Sequence, residues 1–375
     1  MTAWSRRKWL LSGAALSAGL LAGLRSVTRS RAQEPPSGGR SCRWEDLGIR
    51  SDDLSYRAWF VVALRAADNN HYIYSGGTNG KNHLLRWDIE RERWVIQKRG
   101  NEGNPDGSSH NWFPWPGAEF PAAVDNGFAV WDNVNDELWV NCVNPWGSGP
   151  PGSPFNQWKP FSPAIYSPRA DKWREVTPAE FPTFDFAVLP KVHNAGCASS
   201  PEHLILYGGR DEIQATLWIY DGKTRRWARR LRHGDGWGKP GEVGGIENQL
   251  QWARSLGLFV LYAHRRVFTL SVDWKWEERR TAGEPPPMGH SVNLVLLPDQ
   301  EQAAVVGGLT PDVWLLDLRR WRWSRVASEK PLPPVPRKDG AAWANRKGLY
   351  VAWGQEFDVP AEIIRRAFVC RSLVS

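Results

Sequence analysis

The amino-acid sequence predicts an all-β protein, a six-bladed β-propeller whose ring is closed by the N-terminal strand joining the C-terminal blade. Three observations carry this. First, one pattern recurs: an apolar run, a Gly-Gly pair, a second apolar run ending near Asp, and a basic residue followed by Trp. Its copies pass through Leu204–Tyr207, Gly208-Gly209, Leu217–Asp221 and Arg226-Trp227; through Ala304–Val306, Gly307-Gly308, Val313–Asp317 and Arg322-Trp323; and through Tyr72–Tyr74, Gly76-Gly77, Leu85–Asp88 and Arg93-Trp94. Second, the closing Trp occurs six times, at Trp44, Trp94, Trp173, Trp227, Trp276 and Trp323, with gaps of 50, 79, 54, 49 and 47 residues. Third, the chain stops inside a unit. Three strand-like runs follow Trp323, at Ala341–Ala344, Leu349–Trp353 and Ala367–Cys370, with no seventh marker, while Cys42-Arg43-Trp44 is a marker with no blade before it.

Each element has a physical reason. Apolar runs of four to six residues, rich in β-branched and aromatic side chains and bounded by Gly or Asp-Gly, read as strands. The Gly pair permits backbone angles closed to other residues, so the second strand can end in a tight bend. A four-stranded sheet cannot bury both faces alone, and radial stacking on neighbours solves this. The orphan N-terminal strand then serves as fourth strand of the last blade and removes a free edge. A ring of blades also accommodates about 330 residues without one oversized core, because each blade packs only on its neighbours.

The repeat resembles the kelch repeat, whose period of about 50 residues is that of a one-blade unit. The N-terminus carries a second resemblance. Ser5–Leu10, with Arg6-Arg7, looks like a twin-arginine export signal, and an apolar stretch from Trp9 to Leu24 follows it. That stretch is short for a membrane span. Ser30-Arg31-Ala32 resembles a cleavage site, so residues 1–32 are expected to be a signal peptide, 33–41 a polar linker and 42–375 the propeller; an uncleaved N-terminal anchor is the alternative. The signal resemblance implies a periplasmic or extracellular protein, exported already folded.

Removing residues 1–32 takes away six basic residues and no acidic one, leaving 42 Lys and Arg against 40 Asp and Glu. The basicity lies mostly in the leader, so the remainder has no charge footprint for nucleic acid. No other long apolar segment points to a membrane after the signal is removed. The four cysteines suit an oxidising compartment. Cys370 ends the third strand of the last blade and Cys42 starts the proposed fourth, so a Cys42–Cys370 disulfide is expected to lock the ring. Cys142 and Cys197 are a weaker candidate pair, and four buried thiols are the alternative.

The functional side follows from loop length. In a four-stranded blade the connections between strands two and three, and from strand four to the next blade, share one face. The long segments fall there: 100–121, 144–163, 177–192, 231–246, 281–288 and 327–338. Long loops on a rigid scaffold are where binding and catalysis concentrate. Trp112, Trp115, Trp146, Trp158 and Trp237 lie in them, and a flat ring among Pro and Gly suits stacking on a sugar face as well as plain loop packing. His193, Glu247, Asn248, His290 and Asp339 precede innermost strands at the same face, and Lys81, His83, Arg210, Asp211, His264, Arg265 and Glu356 follow the Gly-Gly position or its equivalent. The ligand-binding candidates are Trp112, Trp115, Lys81 and Asp339. The catalytic candidates are Glu247, His193, His290 and Arg210, although a His in the first strand is also a structural feature of the kelch pattern.

Glu102, Asp106 and His110 match the Glu-xxx-Asp-xxx-His spacing that binds iron in kelch-type specifier proteins of plants, and two carboxylates with an imidazole suit a divalent metal. Galactose oxidase-like copper chemistry finds no Tyr-His ligand dipeptide among the eight tyrosines and no C-terminal sandwich domain. The periplasmic sialic-acid mutarotase is similar in blade count; such a reaction needs a general acid and base at the channel mouth. Three functions remain open: a ligand-binding module for a glycan or a protein, a carbohydrate isomerase or mutarotase, and a metal-dependent enzyme using Glu102, Asp106 and His110.

Overall fold

The computed structural model describes residues 41–51, 62–74, 83–99, 128–141, 164–177, 179–180, 196–207, 217–231, 250–287, 292–298, 301–307, 312–333, 340–353 and 366–374. These are strands, turns and extended chain, with no helix among them. The chain opens with β1 (Cys42–Ile49). Blade 1 is β2 (Val62–Arg65), β3 (Asn70–Ile73), β4 (Leu84–Asp88) and β5 (Arg93–Lys98). Blade 2 is β6 (Phe128–Asp132), β7 (Glu137–Asn141), β8 (Ala164–Ser167) and β9 (Lys172–Glu175). Blade 3 is β10 (Gly196–Ser199), β11 (His203–Tyr207), β12 (Leu217–Asp221) and β13 (Arg226–Leu231). Blade 4 is β14 (Leu250–Ala253), β15 (Leu258–Ala263), β16 (Arg266–Leu270) and β17 (Trp276–Arg279). Blade 5 is β18 (Val292–Leu296), β19 (Gln302–Gly307), β20 (Val313–Asp317) and β21 (Arg322–Val326), followed by the short β22 (Ser328–Lys330). Blade 6 is β23 (Gly340–Asn345), β24 (Gly348–Trp353), β25 (Arg366–Cys370) and, from the other end of the chain, β1.

Every blade is an antiparallel meander, and the first strands touch in sequence around the ring: β2 with β6, β6 with β10, β10 with β14, β14 with β18, β18 with β23 and β23 with β2. They are the innermost strands. The ring closes where β1 pairs antiparallel with β25, Trp44 opposite Cys370 and Asp46 opposite Phe368. The Cys42–Cys370 disulfide lies at that edge, with α-carbons 5.9 Å apart, inside the range a bridge requires.

All six marker tryptophans stand in fourth strands. Trp44, Trp94, Trp227 and Trp323 are buried, while Trp173 and Trp276 are partly so. Trp94, Trp173, Trp227, Trp276 and Trp323 pack on aromatic rings of their own or an adjoining blade; Trp227, for example, meets Tyr220 at 5.4 Å and Trp139 of blade 2 at 5.7 Å. The Asp that ends the third strand is a turn-former. In blades 1, 3 and 5 its Oδ1 accepts two backbone N–H groups of the following turn, at Asp88, Asp221 and Asp317. An aspartate that bonds its own downstream backbone in this way sets the turn.

The residue two before the marker Trp adopts positive φ in all five blades whose third and fourth strands are joined by a turn. These are Glu92 (49°), Asp171 (51°), Arg225 (55°), Trp274 (65°) and Trp321 (51°). That conformation costs a non-glycine residue about 1–2 kcal/mol. In each case the side chain reaches the preceding blade. Glu92 accepts from Tyr350 Oη at 2.6 Å and from Arg371; Asp171 accepts from Lys98 Nζ at 2.8 Å; Arg225 donates to Glu137 at 2.6 Å. Trp274 packs edge-on to His203 at 5.0 Å, and the Arg279 guanidinium sits 5.3 Å over Trp321. A glycine would relax the turn and lose the contact.

After its fourth strand the chain does not leave at once for the next blade's interior. Its first residues strap the outer strand of that next blade. The N–H groups of Trp94, Trp227 and Trp323 donate to the carbonyls of Arg50, Glu180 and Ala282, and β22 pairs parallel with β1. At the strap over blade 5, Gly283 has φ +79°, and a Cβ there would collide with the Trp323 carbonyl, so only glycine fits. The segments 177–192, 281–288 and 327–338, read from sequence as loops throughout, therefore begin as scaffold. An unpaired outer strand is an aggregation template, and the strap covers it.

Candidate functional site

The two faces of the ring differ in how strands are joined. Strands one to two and three to four are linked by short turns, such as 66–69, 89–92, 133–136, 222–225 and 318–321. By strand order, the segments 74–83, 99–127, 142–163, 208–216, 232–249 and 354–365 connect strand ends that point to the other face. Among the connections of this face, the one between β15 and β16 is short and lies wholly within the described residues. His264 (φ 51°) and Arg265 (φ 60°) form a two-residue hairpin between β15 and β16, with Ala263 paired to Arg266. Two central residues with positive φ match the twist of a tight hairpin.

Among the described residues of this face, the hairpin brings together an imidazole, a guanidinium and a carboxylate. Arg265 donates to the Pro285 carbonyl at 3.3 Å and lies 3.9 Å from Glu284, all three groups reaching solvent. Tyr262, one turn below, donates its hydroxyl to the Pro286 carbonyl at 2.5 Å, and burial raises its pKa. The exit from blade 4 is thus pinned over that blade's second strand. In blade 5, Asp312 accepts from Arg325 Nε at 2.9 Å, and that guanidinium lies 5.8 Å over the ring of Trp314.

His264 and Arg265 are exposed at a strand end as the sequence indicates. His83, which directly precedes β4, is fully buried. Lys81, Trp112, Trp115, Trp146, Trp158, His193, Arg210, Asp211, Trp237, Glu247, Asn248, His290, Asp339 and Glu356 lie outside the described residues, as do Glu102, Asp106 and His110. By sequence position His193, Glu247, His290 and Asp339 fall within three residues of the starts of β10, β14, β18 and β23. No group of three His, Cys, Asp or Glu among the described residues is placed to hold a metal. Cys142 lies outside the described residues; Cys197 is buried, its Sγ 3.4 Å from the Ala129 carbonyl oxygen.

The short-turn face holds groups that sequence reading did not single out. Glu137 and Glu180, both buried, share Arg174 and Arg225. Arg174 binds Glu180 through two nitrogens at 3.0 and 2.9 Å and Glu137 at 3.1 Å. Burial by itself raises Glu180, but hydrogen bonds from Arg174 and the Thr177 amide outweigh it and hold the carboxyl below its ordinary value. Asp136, at positive φ, is held down by Arg65 of blade 1. These acids are saturated by partners across blade junctions, which makes them braces.

No protein-family model matches the chain, and no curated protein matches it. The architecture itself fits a ligand-binding module. The buried disulfide is compatible with an exported protein, and no helix among the described residues is long and apolar enough to cross a membrane.

Proposed function

We propose that the protein is an exported kelch-type propeller that binds a glycan through the face bearing the long connections. The observation that supports this is the asymmetry of the ring. One face is built from short turns, several of whose charges pair with neighbouring blades, while by strand order most of the chain between strands connects at the other. The five loop tryptophans all fall by sequence in that second set of segments. Export by the twin-arginine route to the periplasm accords with the Arg6-Arg7 leader and with a disulfide that needs oxidising surroundings.

A glycan array followed by calorimetry tests the reading. Trp112→Ala or Trp115→Ala is expected to weaken binding at least about tenfold, about 1.4 kcal/mol, and to leave the melting temperature within about 1 °C, as surface changes usually do. Capture of a protein ligand with no glycan bound would move the reading to protein recognition. Ligand contacts mapping to the short-turn face would overturn the choice of side.

A further inference from the structure

We propose that β1 is a redox-gated latch: the Cys42–Cys370 disulfide replaces the turn that blade 6 lacks, and its reduction releases β1 while the other blades stay folded. The argument begins with the repeat. Cys42 stands two residues before its marker, Trp44, the position held in the other five blades by Glu92, Asp171, Arg225, Trp274 and Trp321. In those blades a short peptide delivers the fourth strand to the third. In blade 6 the two strands come from opposite ends of the chain, and the only covalent link between them at that edge, across 328 residues of sequence, is the sulfur–sulfur bond, beside which the Ser372 hydroxyl donates to the Ser41 carbonyl at 2.6 Å.

The remaining holds on β1 are ordinary ones. It pairs with β25 and β22, and its register breaks at Cys42/Arg43 on one side and between Asp46 and Ile49 on the other. Its ion pairs, Asp46 with Arg366 and Glu45 with Arg371, are partly exposed, and such pairs hold weakly. Trp44 is its one large buried anchor. Without the disulfide, the only covalent tether of β1 to the ring is the segment leading to β2.

Both cysteines are fully buried, so a reductant reaches the sulfurs only when β1 lifts. A dithiol then attacks one sulfur as thiolate, the mixed disulfide resolves through its second thiol, and the dithiol leaves as a cyclic disulfide. Two electrons and two protons pass to Cys42 and Cys370, which become thiols. With β1 lifted, β25 presents an open edge and Trp44 loses its cover. The Arg50 carbonyl is also withdrawn from the Trp94 N–H, so blade 1 is affected as well. The complete ring is therefore conditional on an oxidising compartment.

Amide hydrogen exchange on the full chain, with and without a dithiol, reads the latch. In reduced protein the amides of Phe368–Cys370 and of Trp94 are expected to exchange at least about tenfold faster, while those of β11 and β12 stay within about twofold, as for a local opening. The Cys42→Ala/Cys370→Ala variant should reproduce this without reductant; should that variant not fold, the reduced wild-type chain gives the same reading. Unchanged exchange at Phe368–Cys370 and Trp94 would overturn the latch, and so would an equal acceleration in β11 and β12, which would make the disulfide a brace of the whole ring.

Discussion

The junction between blades 2 and 3 and the junction between blades 6 and 1 occupy equivalent places in the ring and are held by different chemistry. At the first, Glu137 and Glu180 are buried against Arg174 and Arg225, beside Trp139, Tyr220 and Trp227. At the second, Trp87, Trp94, Trp343 and Tyr350 form a closed aromatic cluster, with Trp343 and Tyr350 stacked at 8° and Trp87 within 5.2 Å of the other three. Its charged groups, Glu92 with Arg371 and Glu90 with Arg346 and Lys347, sit at the margin. The repeat thus fixes where blades meet and leaves open how they adhere. A charged junction loses strength when its carboxylates are protonated; an aromatic one does not, but this one adjoins the closing disulfide.

The largest effect that would test this contrast comes from the aromatic side chains. Trp227→Ala and Trp87→Ala should each lower unfolding free energy by ~3–5 kcal/mol in denaturant titration. A loss under 1 kcal/mol at either would remove that residue from its junction's core. Next, Arg174→Ala should cost ~2–4 kcal/mol, toward the low side for breaking a buried pair because Arg174 is 33% exposed. Arg371→Ala should cost less, about 1 kcal/mol, because Arg371 is 38% exposed and one of its two carboxylate partners, Glu45, is 50% exposed. Equal losses would erase the distinction between the junctions.

His71 supplies a control belonging to neither set of charges. It is buried in β3, and burial pushes its pKa from 6.5 down to about 3. The unfolded chain therefore binds the proton that the folded one excludes, so stability falls as pH drops from 6.5 toward 3. At pH 5 the loss relative to pH 8 is about 2 kcal/mol, and His71→Leu should flatten it. The smallest and most acidic effect belongs to Glu180. Its folded pKa lies below 4.5, so its contribution is present above 4.5 and is lost as pH falls through the folded value. Melting temperatures of Glu180→Gln and wild type should converge in acid and separate at neutral pH; parallel curves would show that the carboxylate charge does not brace the junction.

Much of this was legible in the chain because it repeats. The marker Trp gave blade number and outer strands, and the position of Cys42 before Trp44 gave the closing strand and its disulfide. The positive-φ position was not legible, because residue types there are Glu, Asp, Arg and Trp, selected for what they touch on the preceding blade and not for backbone ease. The straps were missed for a similar reason: Arg50, Glu180 and Ala282 contribute a backbone carbonyl, which leaves no mark on side-chain identity. The candidate site was legible only as a face. The proposed binding residues fall by sequence in segments that vary between blades, and variation defeats a reading founded on repetition.

The antiparallel pairing of β1 with β25 has a mechanical consequence. Cys42 begins one strand and Cys370 ends the other, so both chain ends emerge at the same edge of the sheet. A pull on the two termini would load the hydrogen bonds between these strands one at a time, in peeling, instead of all together in shear. Peeling is the weak direction for a sheet, but here, past the single hydrogen bond from the Ser372 hydroxyl to the Ser41 carbonyl, it meets the disulfide. Tension applied at the ends is borne by a covalent bond, and the ring inside it carries none until that bond is cut.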